Sequence, residues 1–335
     1  MPPRSMPIVP LSEMTNEQEA DLFALMTSKQ ELTTRDGKPY FKVAFRDARR
    51  EVSFPVWGDS AWAVACRDEW SPGAFYKIRA VYRETSFGPQ LEIRKIRETV
   101  EADAADGFDP GMCLAQSRFE PGAMFDELLG LVRQHVAEGP LRTLIETIWG
   151  ANRAALLRMP AARRNHHTYV AGLLEHTLAV TRNCVYLAER YAKDYPDMKP
   201  PLDKALVVAG GALHDVGKIL EYEAGPTETH YTAEGALVGH ILLGRDMVRE
   251  AAVDLGMDAD RLLRLEHLIL SHQRLPEWGS PKPPMTPEAL LVHYADDVDA
   301  KFNMMAAVLA NDTTPGPLTG RGNPLHQQVF RGKRD

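Results

Sequence analysis

Cysteine is scarce in this 335-residue chain: Cys66, Cys113 and Cys184 lie far apart and form no CxxC pair. That excludes a disulfide framework and a thiolate zinc cluster, and a reducing compartment is the simplest expectation. Long hydrophobic runs are missing as well. The longest, around Ala205 to Leu213, falls well short of the roughly 20 apolar residues that a membrane helix needs. The opening Met1-Pro2-Pro3-Arg4-Ser5-Met6-Pro7 has no apolar core of the kind a signal peptide carries, so a cytoplasmic protein with no membrane partner is expected. Nor is there an excess of positive charge, since 39 Lys plus Arg stand against 46 Asp plus Glu, for a net charge of −7. Apolar residues are not lacking: at 44% with five Trp, they exclude a wholly disordered chain. At roughly 100–200 residues per domain the length suggests two domains, and no 20–50-residue repeat is visible.

The global charge hides an asymmetry. From Lys29 to Arg97 there are 14 basic and nine acidic residues, a local +5, so the N-terminal part is a basic module on an acidic body. That module reads as strands. Phe41, Val43 and Phe45 alternate with Tyr40, Lys42 and Arg46 after the hairpin signal Asp36-Gly37; Val52, Phe54 and Val56 alternate next. Asp59-Ser60 is a candidate N-cap for a short helix over 61–66. Tyr76, Ile78, Ala80 and Tyr82 make another strand, Phe87-Gly88-Pro89 turns the chain, and Leu91, Ile93 and Ile96 follow. With an earlier strand near Asp21 to Lys29, five strands with a helix between the third and fourth give the layout of an OB-fold, a small barrel that commonly binds single-stranded nucleic acid. Parity places Phe41 and Phe45 in the core and Tyr40 on the face of Lys42 and Arg46, where bases would stack and phosphates would be tracked; Trp57 is both a core and a stacking candidate. The expected organisation is a barrel over 18–100, a small, acidic, turn-prone linker over 101–121, an all-α domain over 122–312 and a tail over 313–335. The N-terminal extension through Pro10 has no assigned role.

Beyond the linker the period changes to 3.6, with helices expected near 122–137, 141–158, 170–193, 203–214, 236–255, 259–272 and 287–310, the last capped by Thr286 with Pro287 at its first position. Most of the eleven histidines fall between His166 and His293. His176 shares an apolar stripe with Leu173, Val180, Cys184 and Leu187; His214, directly followed by Asp215, closes a stripe of Leu206, Gly210 and Leu213. His272 follows Leu265, Leu268 and Ile269, and Asp296 begins a face with Asp299, Ala300 and Asn303. A buried His or Asp is costly unless paired or metal-bound. For any one of them a hydrogen-bonded core residue is the plainer reading, but for four or five converging it is a metal. Imidazole with carboxylate suits divalent Mn, Fe, Co, Ni or Zn, and carboxylate content favours harder ions such as Mn. An adjacent His-Asp pair can give both side chains to one ion while the second carboxylate oxygen bridges to another, and two such ions can activate a shared water beside a phosphoryl group.

The ordered set H…HD…D, with His176, His214-Asp215 followed by Gly217-Lys218, and Asp296, resembles the HD-domain metal-dependent phosphohydrolases. His166-His167 ahead of Gly172-Leu173-Leu174-Glu175-His176-Thr177, Glu277-Trp278-Gly279-Ser280-Pro281, and Asp296-Asp297-Val298-Asp299-Ala300-Lys301 narrow this to the YhaM-type 3′-to-5′ exoribonucleases, which also carry an N-terminal OB-fold. The likeness runs from about Phe23 to about Lys333. It implies metal-dependent hydrolysis of single-stranded RNA from its 3′ end, releasing nucleoside monophosphates, with DNA left open. It implies His176, His214, Asp215 and Asp296 on one ion, with Asp215 bridging to a second ion held by His240 and His272. Mn is the expected metal, and Fe, Co, Ni and Mg stay open. Lys218 would donate to a phosphate or stabilise developing charge, against the reading of a solvated lysine. His166 and His167 would contact phosphate, against a capping or packing role at a helix start. His267 and His293 read as structural or as supports behind the ligands, and Asp299 with Lys301 as an intrahelical ion-pair network, against a part in orienting the substrate or a ligand. Where the family has a His pair, this chain has His272-Gln273. The competing readings are an HD phosphohydrolase acting on a small or signalling nucleotide and a non-catalytic nucleic-acid-binding protein. No heptad or charge pattern fixes a subunit interface, so a homo-oligomer stays open.

Overall fold

The computed structural model describes residues 6–34, 36–85, 88–163, 165–224, 229–312 and 314–332. The opening Met1 to Ser5, Phe87 of the expected turn, and residues 313 and 333–335 of the expected tail lie outside them. The chain divides between Gln116 and Ser117 into two compact units.

The first unit contains five antiparallel strands, β1 (Glu19–Thr33), β2 (Pro39–Arg46), β3 (Glu51–Trp57), β4 (Phe75–Thr85) and β5 (Gly88–Glu98), in the order β3-β2-β1-β4-β5. The long β1 serves both halves of the sheet. Its first part pairs with β4 and its second with β2, and an irregularity between Met26 and Ser28 re-aims it between the two. The outer strands β3 and β5 run close to one another, curling the sheet toward closure. α1 (Ala63–Asp68) lies between β3 and β4, so the order is the expected OB-fold. The alternation was legible: Phe41, Val43, Phe45, Val52, Phe54, Val56, Tyr76, Ile78, Ala80 and Tyr82 are all buried in one core.

Three local expectations change. α1 starts two residues later than expected and has no side-chain cap; Ala63 N–H meets only the backbone carbonyl of Ser60. The extension before β1 is part of the barrel, because Val9 N–H donates to Asp21 O, Asp21 N–H donates to Pro7 O, and Leu11 is fully buried in the core. The stretch expected as a linker is built onto the sheet up to residue 116. Cys113 packs with Phe23 and Leu25 in a small apolar cluster, and Asp103 accepts from both Lys77 and Arg97. Small acidic residues looked like linker because their partners lie on β4 and β5.

The second unit is helical: α2 (Pro121–His135), α3 (Pro140–Ala151), α4 (Arg153–Leu156), α5 (Gly172–Asp194), α6 (Lys204–Leu213), α7 (Lys218–Glu221), α8 (Ala233–Leu237), α9 (His240–Ala252), α10 (Ala259–Ser271) and α11 (Pro287–Asn311), with a small hairpin β6 (Tyr222–Ala224) and β7 (Thr229–Tyr231). The stretch 141–158 is two helices divided at Asn152, whose side chain donates to Ile148 O. The stretch 236–255 is divided at Gly239, where φ is +81°. α5, α6 and α11 pack on one another in the centre. A Cβ on Gly211 would meet Cys184 Sγ at 2.8 Å, so α6 needs glycine there to lie this close to α5. No helix of the described residues is long and apolar enough to cross a membrane.

Candidate metal centre

Five helices deliver the cluster. His176 sits in the second turn of α5, His214 caps the C-terminus of α6, Asp215 lies in the turn before α7, His240 is the first residue of α9, His272 caps α10, and Asp296 is midway along α11. The turn after the doublet is pressed backbone to backbone against α9. A Cβ on Gly217 would stand 2.0 Å from His240 O, so only glycine lets Asp215 and His240 come together.

Two donor groups meet at one carboxylate. His176 Nε2 lies 3.2 Å from His214 Nε2, 3.2 Å from Asp296 Oδ1 and 3.4 Å from Asp215 Oδ2; His214 Nε2 is 3.3 Å from Asp215 Oδ2. On the other oxygen, Asp215 Oδ1 lies 3.4 Å from His240 Nε2 and 3.5 Å from His272 Nε2. Donor atoms each about 2.1 Å from one ion at tetrahedral or octahedral angles lie about 3.0–3.4 Å apart, so both groups have close to the spacing a single ion imposes. Asp215 Oδ1, His240 Nε2 and His272 Nε2 are buried without a hydrogen-bond partner, an expensive arrangement unless a cation is shared between them. The donor set suits a divalent cation.

The far side of each ring is satisfied. His214 Nδ1 donates to Gly211 O and His272 Nδ1 to Ile269 O, while His176 Nδ1 donates to Asp299 Oδ2 and His240 Nδ1 to Glu221 Oε1. All four rings therefore turn Nε2 toward the cluster. Electrostatics agree. Burial opposes ionisation of Asp215, yet Lys218 and His214 hold its carboxyl well below the usual range. Burial also works against charge on His176, but Asp215, Asp296 and Asp299 raise it well above an ordinary imidazole.

The other expected residues divide. Lys218 is no solvated lysine: it is 4% exposed and its Nζ is 2.6 Å from Asp215 Oδ2. The ring of His166 packs 5.2 Å from that of His176, its Nε2 is buried without a partner, and burial with the neighbouring His176 pushes its pKa down to about 3. His167, expected to touch phosphate, is instead engaged at both nitrogens, by Tyr169 Oη at 2.7 Å and Asp299 Oδ2 at 2.9 Å, which leaves its ring nothing to offer a phosphate. Asp299 is likewise no intrahelical ion-pair residue, since it joins His167 to His176; Lys301 pairs with Asp297 instead. His293 Nδ1 donates to His272 O, and His267 Nε2 accepts from Met285 N. Glu221 was not foreseen, and the sequence carries no spacing signal for it. Asp299, three residues after Asp296, had such a signal but a misleading partner.

On the barrel, Tyr40, Lys42 and Arg46 share a face of β2. Tyr40 lies opposite Trp57 with ring centroids 5.1 Å apart, Lys42 stands in solvent, and Arg46 donates to Asp47 O. Trp57 is 49% exposed, so it belongs to this face and not to the core.

The HD domain family model matches residues 173–301. The 3′-5′ exoribonuclease YhaM of Bacillus licheniformis is 32% identical over 320 residues, covering 93% of this chain and 94% of that protein. The chain belongs to the YhaM family. Two solved structures are similar to part of it: the second OB-fold domain of replication protein A from Methanococcus maripaludis (15% identity, TM-score 0.22, 28% of this chain and 99% of that one) and fission yeast Pot1 with single-stranded DNA (14% identity, TM-score 0.23, 28% and 40%). The OB-fold assignment of this YhaM-family chain rests on the strand order and register above.

Proposed function

We propose that the chain is a metal-dependent 3′-to-5′ exoribonuclease that hydrolyses the phosphodiester bonds of single-stranded RNA to nucleoside monophosphates. The observation that carries the reading is the Asp215 carboxylate, whose two oxygens each stand within 3.5 Å of the imidazoles of a separate donor group. His176, His214, Asp215 Oδ2 and Asp296 would hold one ion; Asp215 Oδ1, His240 and His272 would hold the other. Mn, favoured by the carboxylate share of the donors, would when bound provide an activated water and neutralise charge on the phosphoryl group.

The chain's own groups do the rest. Lys218, held beside Asp215, brings a fixed positive charge to the place where negative charge develops on phosphate oxygens. His166, neutral and with Nε2 unpartnered, would in its Nε2–H tautomer donate to a non-bridging oxygen. Tyr40 and Trp57 stack bases while Lys42 and Arg46 track phosphates, which gives binding with little sequence preference. Three buried, unpaired thiols fit the reducing cytoplasm.

The test is digestion of RNA labelled at its 5′ end, with Mn, beside a chelator control and the His214→Ala/Asp215→Ala variant. The reading predicts a ladder shortening from the 3′ end in the wild type alone. Intact RNA from a protein that still binds metal would overturn it and point to a small nucleotide as the substrate.

A further inference from the structure

Glu221, at the end of α7 and 5% exposed, is not a member of either donor group. Its Oε1 accepts from the backbone N–H of His240 at 2.9 Å and from the ring Nδ1–H of the same residue at 3.0 Å. One carboxylate oxygen thus fixes both where α9 begins and which way its first side chain points. Glu221 is itself held in place: its carbonyl accepts from Thr232 N at 3.0 Å, and Thr232 Oγ1 donates to Leu220 O at 2.7 Å.

The two donor groups are unequal. The first has two carboxylates and two imidazoles. The second has only the shared Asp215 Oδ1 and two imidazoles, and of the four rings it is His240 whose side chain is 15% exposed, those of His176, His214 and His272 being 0%. Fewer anionic donors and more water weaken the hold on a cation. In each group one ring is backed by a carboxylate, His176 by Asp299 and His240 by Glu221, and the other by a main-chain carbonyl. Such backing fixes the ring and strengthens it as a donor, and its loss typically costs 10–100-fold in metal affinity. The leverage is greatest in the group with less charge of its own.

We infer that Glu221 is a positioning residue that sets the affinity of the second, looser divalent ion without touching that ion or the RNA. The inference rests on the two-ion reading above. The experiment is calorimetric titration of Mn into the chelator-stripped full chain, with two binding events expected in the wild type. Glu221→Gln should weaken the looser event about 10–100-fold and leave the tighter one in place, whereas Asp299→Asn should weaken the tighter. His240→Ala, which removes a donor of the second group, identifies the looser event by abolishing it. The kcat of Glu221→Gln on RNA should return to the wild-type level when Mn is raised by the same factor, and its circular dichroism should match the wild type. Equal weakening of both events, an unchanged looser event, or activity that added Mn fails to restore would overturn the inference. Two unselective events would overturn it alone; a single event in the wild type would overturn the two-ion reading and this inference together.

Discussion

Asp215 is 1% exposed and both its oxygens face imidazoles, whereas on β2 and β3 Lys42 stands in solvent and Trp57 is 49% exposed. Both regions are assigned to the same RNA. In the buried cluster the imidazoles of both donor groups face one shared carboxylate, so removing one member disturbs the others and the effects do not add. On the barrel face each ring and each cation makes its own contribution, so losses are small, separable and sensitive to salt. On the proposed function, the cluster would govern turnover and the face would govern hold.

The largest break in that comparison is Asp215→Asn. It takes the shared carboxylate from both donor groups and leaves Lys218 buried beside a neutral amide. Cleavage should fall on the order of a thousandfold or more in kcat, about 4 kcal/mol of barrier, with KM for RNA little changed. A comparable rise in KM with kcat preserved would place the carboxylate in binding instead.

Tyr40→Ala and Trp57→Ala should do the reverse. Each removes a stacking platform worth about 1–3 kcal/mol per base, so KM should rise roughly 5–150-fold while kcat stays within about twofold, read by steady-state cleavage of an oligonucleotide. Smaller again is the effect of Lys42→Ala. Neutralising one phosphate contact should reduce the dependence of log affinity on log salt by about 0.7, measured by RNA binding across a salt series. An unchanged slope would move the RNA off this face.

Legibility divides along the same line. The HD doublet, His176 and Asp296 were readable because their apolar stripes fix which face of each helix they occupy, and the barrel core because alternation over Phe41 to Phe45 fixes which face of the strand turns inward. Glu221 and the Asp299–His167 contact were not readable. Each depends on how α7 meets α9 or how the segment before α5 meets α11, which no local spacing encodes. The 101–116 segment failed for the same reason, its small acidic residues meeting partners on β4 and β5.

That segment provides the smallest prediction. Arg97 and Lys77 hold the Asp103 carboxyl well below the usual carboxylate range despite its burial. A depressed acid stabilises the fold above its unfolded pKa of about 4, and that contribution is lost as the pH falls below it. Thermal melts of the full chain should therefore lose stability on acidification from about pH 5, and Asp103→Asn should lower the plateau at neutral pH while flattening the acid limb. An equal acid limb in the variant would assign the dependence to other carboxylates.

The most direct measurement of the central claim is anomalous scattering from crystals of the full chain grown with Mn. The account predicts two peaks about 3.5–4 Å apart, one among His176, His214, Asp215 Oδ2 and Asp296 and the other among Asp215 Oδ1, His240 and His272. A single peak, or two that do not share Asp215, would contradict it.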